Sequence, residues 1–469
     1  MKELVEDFAM CDFKTASIFA AFVFSVTTAS AVVAQTTATL ETPKEVYEPL
    51  RKSLMAGPKA STTSTPAKAS PGLKKAWDSY VATLDEMRAV LERTSMFENP
   101  RNRARAYRTL MEMQAMVYNS AVAPRMATPR IVVNNGWMTD IYPDVQIGPD
   151  WYYGLLYLDG RQTYQLKGRL GDIKLFLFQV NHTMLGVDNS RTIGNYNLAD
   201  MDVAADGTFE ITIGGARKER NWIALEQTSK YNFIQIRRYL PNSGHDDPGY
   251  LRIKLLSASS DIYAQTDEFD EAALAERIHN AELQLRLYIN EFNVGLYDFA
   301  MVGTGGQKNR MSLIPGLTLT AGNPLSKYSQ GVFSLKDDEA IIVDIDKSPS
   351  KIYWGLMLCD VWSRSLPFNN WQTSINNVHA KRDADGHYRF VLSKQDPGVA
   401  NWLDTRGMDE GIIMLRNYVT EENVVPSLRL VKFNEVLNTL PSDTSMVTPD
   451  QRQTALEYRR EGYTRLYGE

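Results

Sequence analysis

Three aspartates in the second half of the chain, Asp360, Asp396 and Asp404, are the acids nearest to a run of aromatic residues. Two carboxylates on opposite sides of a glycosidic bond can hydrolyse it, one as an acid and the other as a base or nucleophile. Their spacing along the chain does not show whether they meet, because the fold brings such pairs together. They are weak catalytic candidates, and they leave a carbohydrate-active or related hydrolytic enzyme open as one hypothesis.

Aromatic and amide side chains surround these acids. Aromatic faces beside amides and a carboxylate can bind sugar hydroxyls, although the same side chains can also pack a core or satisfy loop backbone groups. We expect any ligand surface to take a neutral glycan or another small polar ligand and to consist of Trp362, Trp371, Asn376, Asn401 and Asp404.

Other chemistries have little support in the sequence. The five histidines show no metal-ligand spacing, so we predict no metal site and no cofactor. A Gly-x-Ser-x-Gly motif is missing, which removes the commonest hydrolase signature. Cys359 lies in the apolar run LMLCDVW, which is typical of a buried strand residue rather than a reactive thiol.

The chain repeats itself with an offset of about 180 residues. Asn221-Trp222 returns as Asn401-Trp402, and the Ile-x-x-Arg-x-Tyr pattern that ends at Tyr239 returns ending at Tyr418. Each copy consists of short β-branched and aromatic runs between Gly, Asn, Asp and Pro turns. The sequence therefore predicts a mainly β protein with two tandem β-sandwiches, copy one and copy two.

Residues 353–416 carry a long motif, DADGHYRFVLSKQDPGVANWLDTRG, after an aromatic strand and an Asn-rich segment. This stretch resembles the bacterial family of the domain of unknown function 1214, and residues 73–467 match it more weakly. The resemblance implies paired jelly-roll-like sandwiches. It implies no reaction, cofactor or catalytic residue.

The N-terminal region has the features of an exported protein. Residues 15–34 form an apolar run that ends in small residues, with cleavage expected after Ala31 or Ala34, although the acidic residues before it are unusual for a signal peptide. We therefore expect a secreted or periplasmic protein without a membrane anchor after cleavage. The net charge of -5 and the scattered Lys and Arg residues do not favour nucleic acid as a partner.

Hydrophobic periodicity adds helices around the two sandwiches. One apolar stripe runs from Leu73 to Leu91, a second follows Pro100, and a third lies between Thr266 and Phe292. Thr448-Pro449-Asp450-Gln451 predicts the start of a C-terminal helix. The predicted segments are a signal peptide 1–34, a flexible linker 35–72, a helical hairpin 73–125, a first β-sandwich 126–265, a connecting helix 266–295, and a second β-sandwich with a C-terminal helix 296–469.

Three functional hypotheses follow from these features. The first is a binding protein for a neutral glycan or small polar ligand, the second is the hydrolytic enzyme, and the third is a structural or assembly protein, since tandem jelly rolls pack well into homo-oligomers. A shallow aromatic strip favours the first, two carboxylates in a deep pocket favour the second, and a large flat apolar face favours the third.

Overall fold

The computed structural model describes residues 68–133, 145–187, 190–256, 270–314, 326–420 and 423–467. The chain divides into two compact units, Met1–Lys68 and Ala69–Glu469, and the second contains the sandwiches. The predicted signal peptide and nearly all of the predicted linker lie outside the described residues.

Helices precede, connect and follow the two sandwiches. The α-helices are α1 (Pro71–Glu92), α2 (Pro100–Val117), α3 (Glu271–Leu287), α4 (Gly295–Gly303), α5 (Val436–Thr439) and α6 (Pro449–Tyr467). Wider π-helical turns continue α2 through Tyr118–Val122 and α3 through Tyr288–Val294. No helix in the described part of the chain is both long enough and apolar enough to cross a membrane.

The strands of copy one form two sheets. In chain order they are β1 (Val132–Val133), β2 (Trp151–Leu158), β3 (Thr163–Arg169), β4 (Leu175–Asn181), β5 (Thr192–Asn197), β6 (Thr208–Gly214), β7 (Trp222–Ile223), β8 (Asn232–Tyr239) and β9 (Tyr250–Leu255). One sheet has the order β1-β2-β8-β4-β5 and the other has the order β7-β6-β3-β9.

The strands of copy two repeat this topology. They are β10 (Ser312–Leu313), β11 (Ser326–Ser334), β12 (Glu339–Ile345), β13 (Tyr353–Cys359), β14 (Ser374–Asn376), β15 (Tyr388–Ser393), β16 (Trp402–Asp404), β17 (Glu410–Tyr418) and β18 (Ser427–Lys432). Their sheets have the orders β10-β11-β17-β13-β14 and β16-β15-β12-β18. Each strand of copy one thus has a counterpart, which confirms the predicted duplication and fold class.

Side chains that alternate along the strands fill a separate core in each copy, because successive residues of a strand point to opposite faces. In copy one, Leu156, Ile234 and Ile236 face Ile211 and Ile213 across the sandwich, along with their buried neighbours. In copy two the corresponding core includes Leu356, Ile413 and Phe390. The hydrophobic strand patterns therefore specify two independent interiors.

The opposite faces of the two five-stranded sheets pack together, so the copies share a third buried region. Trp151 and Tyr239 of copy one contact Tyr353 and Tyr418 of copy two, with ring centroids 4.5 to 5.4 Å apart in the closest pairs between the copies. Tyr239 and Tyr418 end the repeated Ile-x-x-Arg-x-Tyr pattern on β8 and β17. Trp151 and Tyr353 lie on the neighbouring strands β2 and β13. The repeated tyrosines are therefore interface residues.

The Asn-Trp pairs occupy equivalent places. In copy one, Asn221 Nδ2 donates to the backbone oxygens of Asp202 and Glu210, each at 2.9 Å, and Asn221 Oδ1 accepts from the backbone N–H of Asp202. Asn401 makes the same three bonds, two to backbone oxygens and one from a backbone N–H. Both tryptophans begin a short strand that pairs parallel to its neighbour. The pair is an architectural element that the duplication has kept.

Helices α1, α2 and α3 contain the three apolar stripes of the sequence, but α1 and α2 do not pack as a simple hairpin. Helix α1 lies mainly along α3 and makes fewer contacts with α2. Its attachment uses Ser79 and Thr83 hydroxyls, which donate to Glu282 of α3 at 2.8 and 3.1 Å. Burial acts to raise the pKa of Glu282, but these hydroxyls and Arg286 lower it overall, so a carboxylate holds the two helices together.

The C-terminal helix α6 contacts both copies, whereas the sequence assigned it to the second sandwich alone. It begins with the predicted capping box, in which Gln451 N–H donates to Thr448 Oγ1 at 3.2 Å and Thr448 N–H donates to Gln451 Oε1 at 2.8 Å. Further along, Arg452 pairs with Asp396 of copy two at 2.8 Å. Near its end, Tyr463 donates to the backbone oxygen of Pro149 in copy one.

Candidate functional site

Asp360 and Trp362 lie in the β13–β14 loop, beneath α2 rather than on a surface. Trp362 is fully buried, and its indole N–H donates to the backbone oxygen of Asn102 on α2 at 3.2 Å. Asp360 pairs with Arg364 at 3.2 Å. Trp362, which the sequence predicts to contact a ligand, is thus a buried side chain covered by a helix that precedes copy one.

Asn376 lies at the junction between the copies. Its Nδ2 donates to Asp150 Oδ1 at 2.7 Å and to the backbone oxygen of Pro241 at 2.8 Å. Tyr353 donates to the other oxygen of Asp150 at 3.2 Å. Burial raises the pKa of Asp150 to about 6, and the bonds from Asn376 and Tyr353 oppose that increase. Asn376 therefore holds a buried acid instead of facing solvent.

Trp371 in the β13–β14 loop and Asp404 at the end of β16 both contact Arg406. Arg406 stacks on the Trp371 ring, 3.8 Å from its centroid, and pairs with Asp404 at 3.3 Å. Asp404 also accepts the backbone N–H of Arg406 at 2.7 Å and is 7% exposed. The sequence placed Asp404 on a solvent-facing loop; the structure buries it at the end of β16 in a local ion pair.

The remaining candidates also have structural partners. Asp396 pairs with Arg452 of α6, and Asn401 is committed to the backbone bonds of the Asn-Trp element. The predicted surface is thus divided among three places: beneath α2, at the junction of the copies, and beside α6. Each candidate acid is paired with a different arginine, Asp360 with Arg364, Asp404 with Arg406 and Asp396 with Arg452.

The described residues contain no group of three His, Cys, Asp or Glu side chains placed to hold a metal ion. Cys359 is fully buried in β13, and burial raises the pKa of its thiol well above the ordinary value. The thiol is therefore a core group, as the apolar run around it predicts.

An apolar groove lies between three helices in front of the sandwiches, with a volume of about 510 Å³. Helix α1 supplies Leu73, Trp77 and Tyr80, the turn after α2 supplies Tyr118 and Val122, and α3 supplies Leu274, Ile278 and Ala281. This volume is within the range of small-molecule sites, about 300 to 1,000 Å³. The groove is therefore a candidate binding site.

The groove is open and almost uncharged. Trp77 is 57% exposed and Tyr118 is 56% exposed, although both are large apolar side chains. Lys74 is the charged residue of the lining, and it pairs with Asp78 one turn along α1. Since the ion pair balances the charge at the rim, the lining can recognise apolar surface but offers no free charge to an ionic ligand.

Local hydrogen bonds fix the walls of the groove. Ser70 caps α1 by accepting the N–H of Leu73 at 3.2 Å, and Pro71 takes the first helical position. Arg277 of α3 donates to the backbone oxygens of Val122 and Pro124 at 3.1 and 2.6 Å, which holds the end of α2 against α3. Polar contacts thus hold together the three elements that carry the apolar lining.

Part of the groove is formed by the apolar stripe that the sequence shows on α1. The stripe from Leu73 to Leu91 reads as one buried face, but only its C-terminal part, including Met87 and Leu91, is fully covered. Trp77 and Val81 of the same stripe remain exposed. Periodicity shows which side chains share a face, but it does not show how much of that face a neighbour covers.

Comparison with known proteins identifies the sandwiches. Residues 156–243 and 333–422 match the family model described as protein of unknown function (DUF1214), which confirms the resemblance found in the sequence. A crystal structure of an uncharacterized protein from Burkholderia cenocepacia is similar, with 24% identity, a TM-score of 0.70, and coverage of 78% of this chain and 99% of that chain. A Vibrio parahaemolyticus protein is 11% identical, with a TM-score of 0.41 and coverage of 77% and 100%. No curated protein matches this chain.

Proposed function

Because the segments that match the DUF1214 model, residues 156–243 and 333–422, lie within the sandwiches and not in the helices in front of them, we propose that the helices carry the binding function of this protein. The protein is a binding protein for a small, uncharged, apolar molecule, and the groove between α1, α2 and α3 is the site. The observation that carries this proposal is the open apolar volume of about 510 Å³. All of its lining residues lie outside residues 156–243 and 333–422.

The class of ligand follows from the lining. Water is a poor partner for Trp77, Tyr118 and Ile278, so covering them with an apolar molecule is favourable by roughly 25 cal/mol for each Å² removed from water. The pairing of Lys74 with Asp78 leaves no unbalanced charge on the rim to attract a carboxylate or phosphate. A neutral apolar ligand therefore fits better than an anionic one.

The polar ligand expected from copy two has less support than the apolar ligand. Trp371 is partly exposed, but Arg406 covers one face of its ring. Trp362, Asn376, Asn401 and Asp404 are each less than a tenth exposed. A glycan would therefore find one aromatic edge and none of the amides that the sequence assigned to it.

Export is part of the proposal and rests on the apolar run of residues 15–34 with its small-residue end. The mature protein then begins at Val32 or Gln35. Mass spectrometry of the protein from its native host checks this, and an intact N-terminus retained in the cytoplasm would contradict it.

Binding of the neutral fluorescent probe N-phenyl-1-naphthylamine tests the groove. We expect saturable fluorescence enhancement, displaced by 1-dodecanol more effectively than by dodecanoate. Trp77→Asp should weaken probe binding about tenfold or more, because it replaces a large apolar contact with a charge. Leu437→Asp is the matched control, since Leu437 is 54% exposed on α5 and does not line the groove.

Two outcomes would overturn the proposal. The first is a wild-type protein that does not enhance probe fluorescence, or a Trp77→Asp protein that binds as tightly as the wild type. The second is a concentration-dependent dimer that Trp77→Asp converts to a monomer in sedimentation experiments, which would assign the groove to a second copy of the chain.

A further inference from the structure

A buried ion cluster joins α2 to the β13–β14 loop of copy two. Arg364 of the β13–β14 loop lies 2.8 Å from Glu112 of α2 and 3.2 Å from Asp360 of its own loop. All three residues are less than a tenth exposed. One cation faces two carboxylates, so the cluster carries an excess negative charge unless one acid is protonated, and an uncompensated buried charge is unfavourable.

The hydrogen bonds indicate which acid holds the proton. Asp360 Oδ1 accepts the backbone N–H groups of Trp362 and Arg364, at 2.9 and 3.1 Å, and Asp360 Oδ2 accepts from Arg364 Nη1 at 3.2 Å, so both of its oxygens have partners. The second oxygen of Glu112, Oε2, has no hydrogen-bond partner. Glu112 is therefore the protonation site of the cluster.

Burial raises the pKa of Glu112 to about 7, against the opposing effect of Arg364. Asp360 adds to the increase, and Arg108, one turn earlier on α2, opposes it. These are the charged groups that act on Glu112 from its own helix and from the loop packed against it. Glu112 consequently changes its charge in the neutral pH range.

The cluster is connected to the groove through α2 itself. The helix runs on from Glu112 into the turn that carries Tyr118 and Val122, two residues of the groove wall. In that turn, Ser120 bonds to Gln284 of α3. A change in how α2 sits on the β13–β14 loop therefore reaches the groove within about two helical turns.

We propose that Glu112 sets the pH range in which the groove binds its ligand. Protonated Glu112 keeps α2 seated on copy two, with Tyr118 and Val122 in the groove wall. Ionised Glu112 leaves two buried carboxylates to share the single guanidinium of Arg364, and the excess negative charge loosens that contact. This inference rests on the proposed apolar-ligand function and adds its regulation.

Probe titration across the neutral range tests the inference. The affinity of the wild type for N-phenyl-1-naphthylamine should fall about fivefold as the pH rises from 6 to 8, which is a typical size for coupling between two sites. Glu112→Gln, a neutral side chain of the same shape, should keep the affinity measured at pH 6 throughout. Glu276→Gln is the matched control, an exposed acid of α3 that should retain the wild-type profile.

Hydrogen exchange separates this inference from the proposed function. In the ligand-free protein, the amides of residues 118–122 should lose protection at pH 8 relative to pH 6, after correction for intrinsic exchange, and Glu112→Gln should remove the difference. If probe binding fails while this exchange pattern holds, the ligand proposal is wrong and the pH response of α2 stands. If Glu112→Gln keeps the wild-type pH dependence in both measurements, the role of Glu112 is refuted.

Discussion

Copy one and copy two hold their Asn-Trp pairs with the same three side-chain hydrogen bonds, but they differ two residues later. Copy one has Ala224 where copy two has Asp404. The N–H of Ala224 donates to the Tyr196 hydroxyl at 3.0 Å, whereas Asp404 pairs with Arg406. The fold therefore requires the asparagine and not the acid. The two copies can be compared within one chain. A residue present in both copies serves the architecture that both share.

The largest effect that this comparison predicts is at the asparagines. Asn401→Ala should lower the free energy of unfolding by about 3 kcal/mol, since it leaves two backbone oxygens and one N–H without a partner. Asn221→Ala removes the same bonds at a more exposed position and should cost about 2 kcal/mol. Urea unfolding of both variants measures the difference, and equal small losses would show that the shared geometry is not what stabilises the copies.

The second prediction concerns the acid between the copies. Burial raises the pKa of Asp150 to about 6 from an ordinary value of 3.8, so the folded protein holds this proton more tightly than the unfolded chain. The resulting stability is present below about pH 4 and is lost as the pH rises through 6, a difference of about 3 kcal/mol. Other acids also make the free energy of unfolding depend on pH. The quantity to measure is therefore the free energy of unfolding of the wild type minus that of Asp150→Asn.

In urea unfolding, that difference in free energy should decrease as the pH rises from 4 to 7. Replacement of the exposed Asp78 on α1 is the matched control. A difference that is flat, or that rises with pH, would show that Asp150 is ionised in the folded protein and that its partners outweigh its burial.

The smallest effect should come from Asp404. Its counterpart Ala224 already shows that the element folds without an acid, so Asp404→Ala should cost only about 1 kcal/mol, from the lost bond to the Arg406 N–H. Chemical unfolding checks this. A loss above that of Asn401→Ala would mean that copy two depends on its own ion pair more than on the shared asparagine.

The sequence predicted the fold better than it predicted the site, and the reason is physical. A single sequence contains the local spacing of its residues. That spacing is enough to predict the strands from alternating apolar residues, the capping box at Thr448 and the repeated Asn-Trp pairs. Burial of Trp362 depends on α2, which lies about 250 residues earlier in the chain, and no spacing rule reports that contact.

The same limit explains the missed groove. Leu274 and Ile278 share a helical face, as the periodicity shows, but whether α1 covers them or leaves a gap depends on how the two helices cross. The arginine partners of Asp360, Asp396 and Asp404 are only partly predictable from the sequence. Arg364 and Arg406 are near their acids in sequence, at four and two residues, and could have been noticed, whereas Arg452 is brought to Asp396 by α6.

The strand orders also constrain how the chain acquires its structure during synthesis. The central strand β3 of copy one pairs with β9, joining residue 164 to residue 255, and in copy two β12 pairs with β18, joining residue 339 to residue 432. Such distant pairings form slowly, because the intervening chain must close a long loop first. A growing polypeptide therefore exposes one edge of β3, and later of β12, until the last strand of that copy has emerged. Only afterwards can α6 fasten the two copies together.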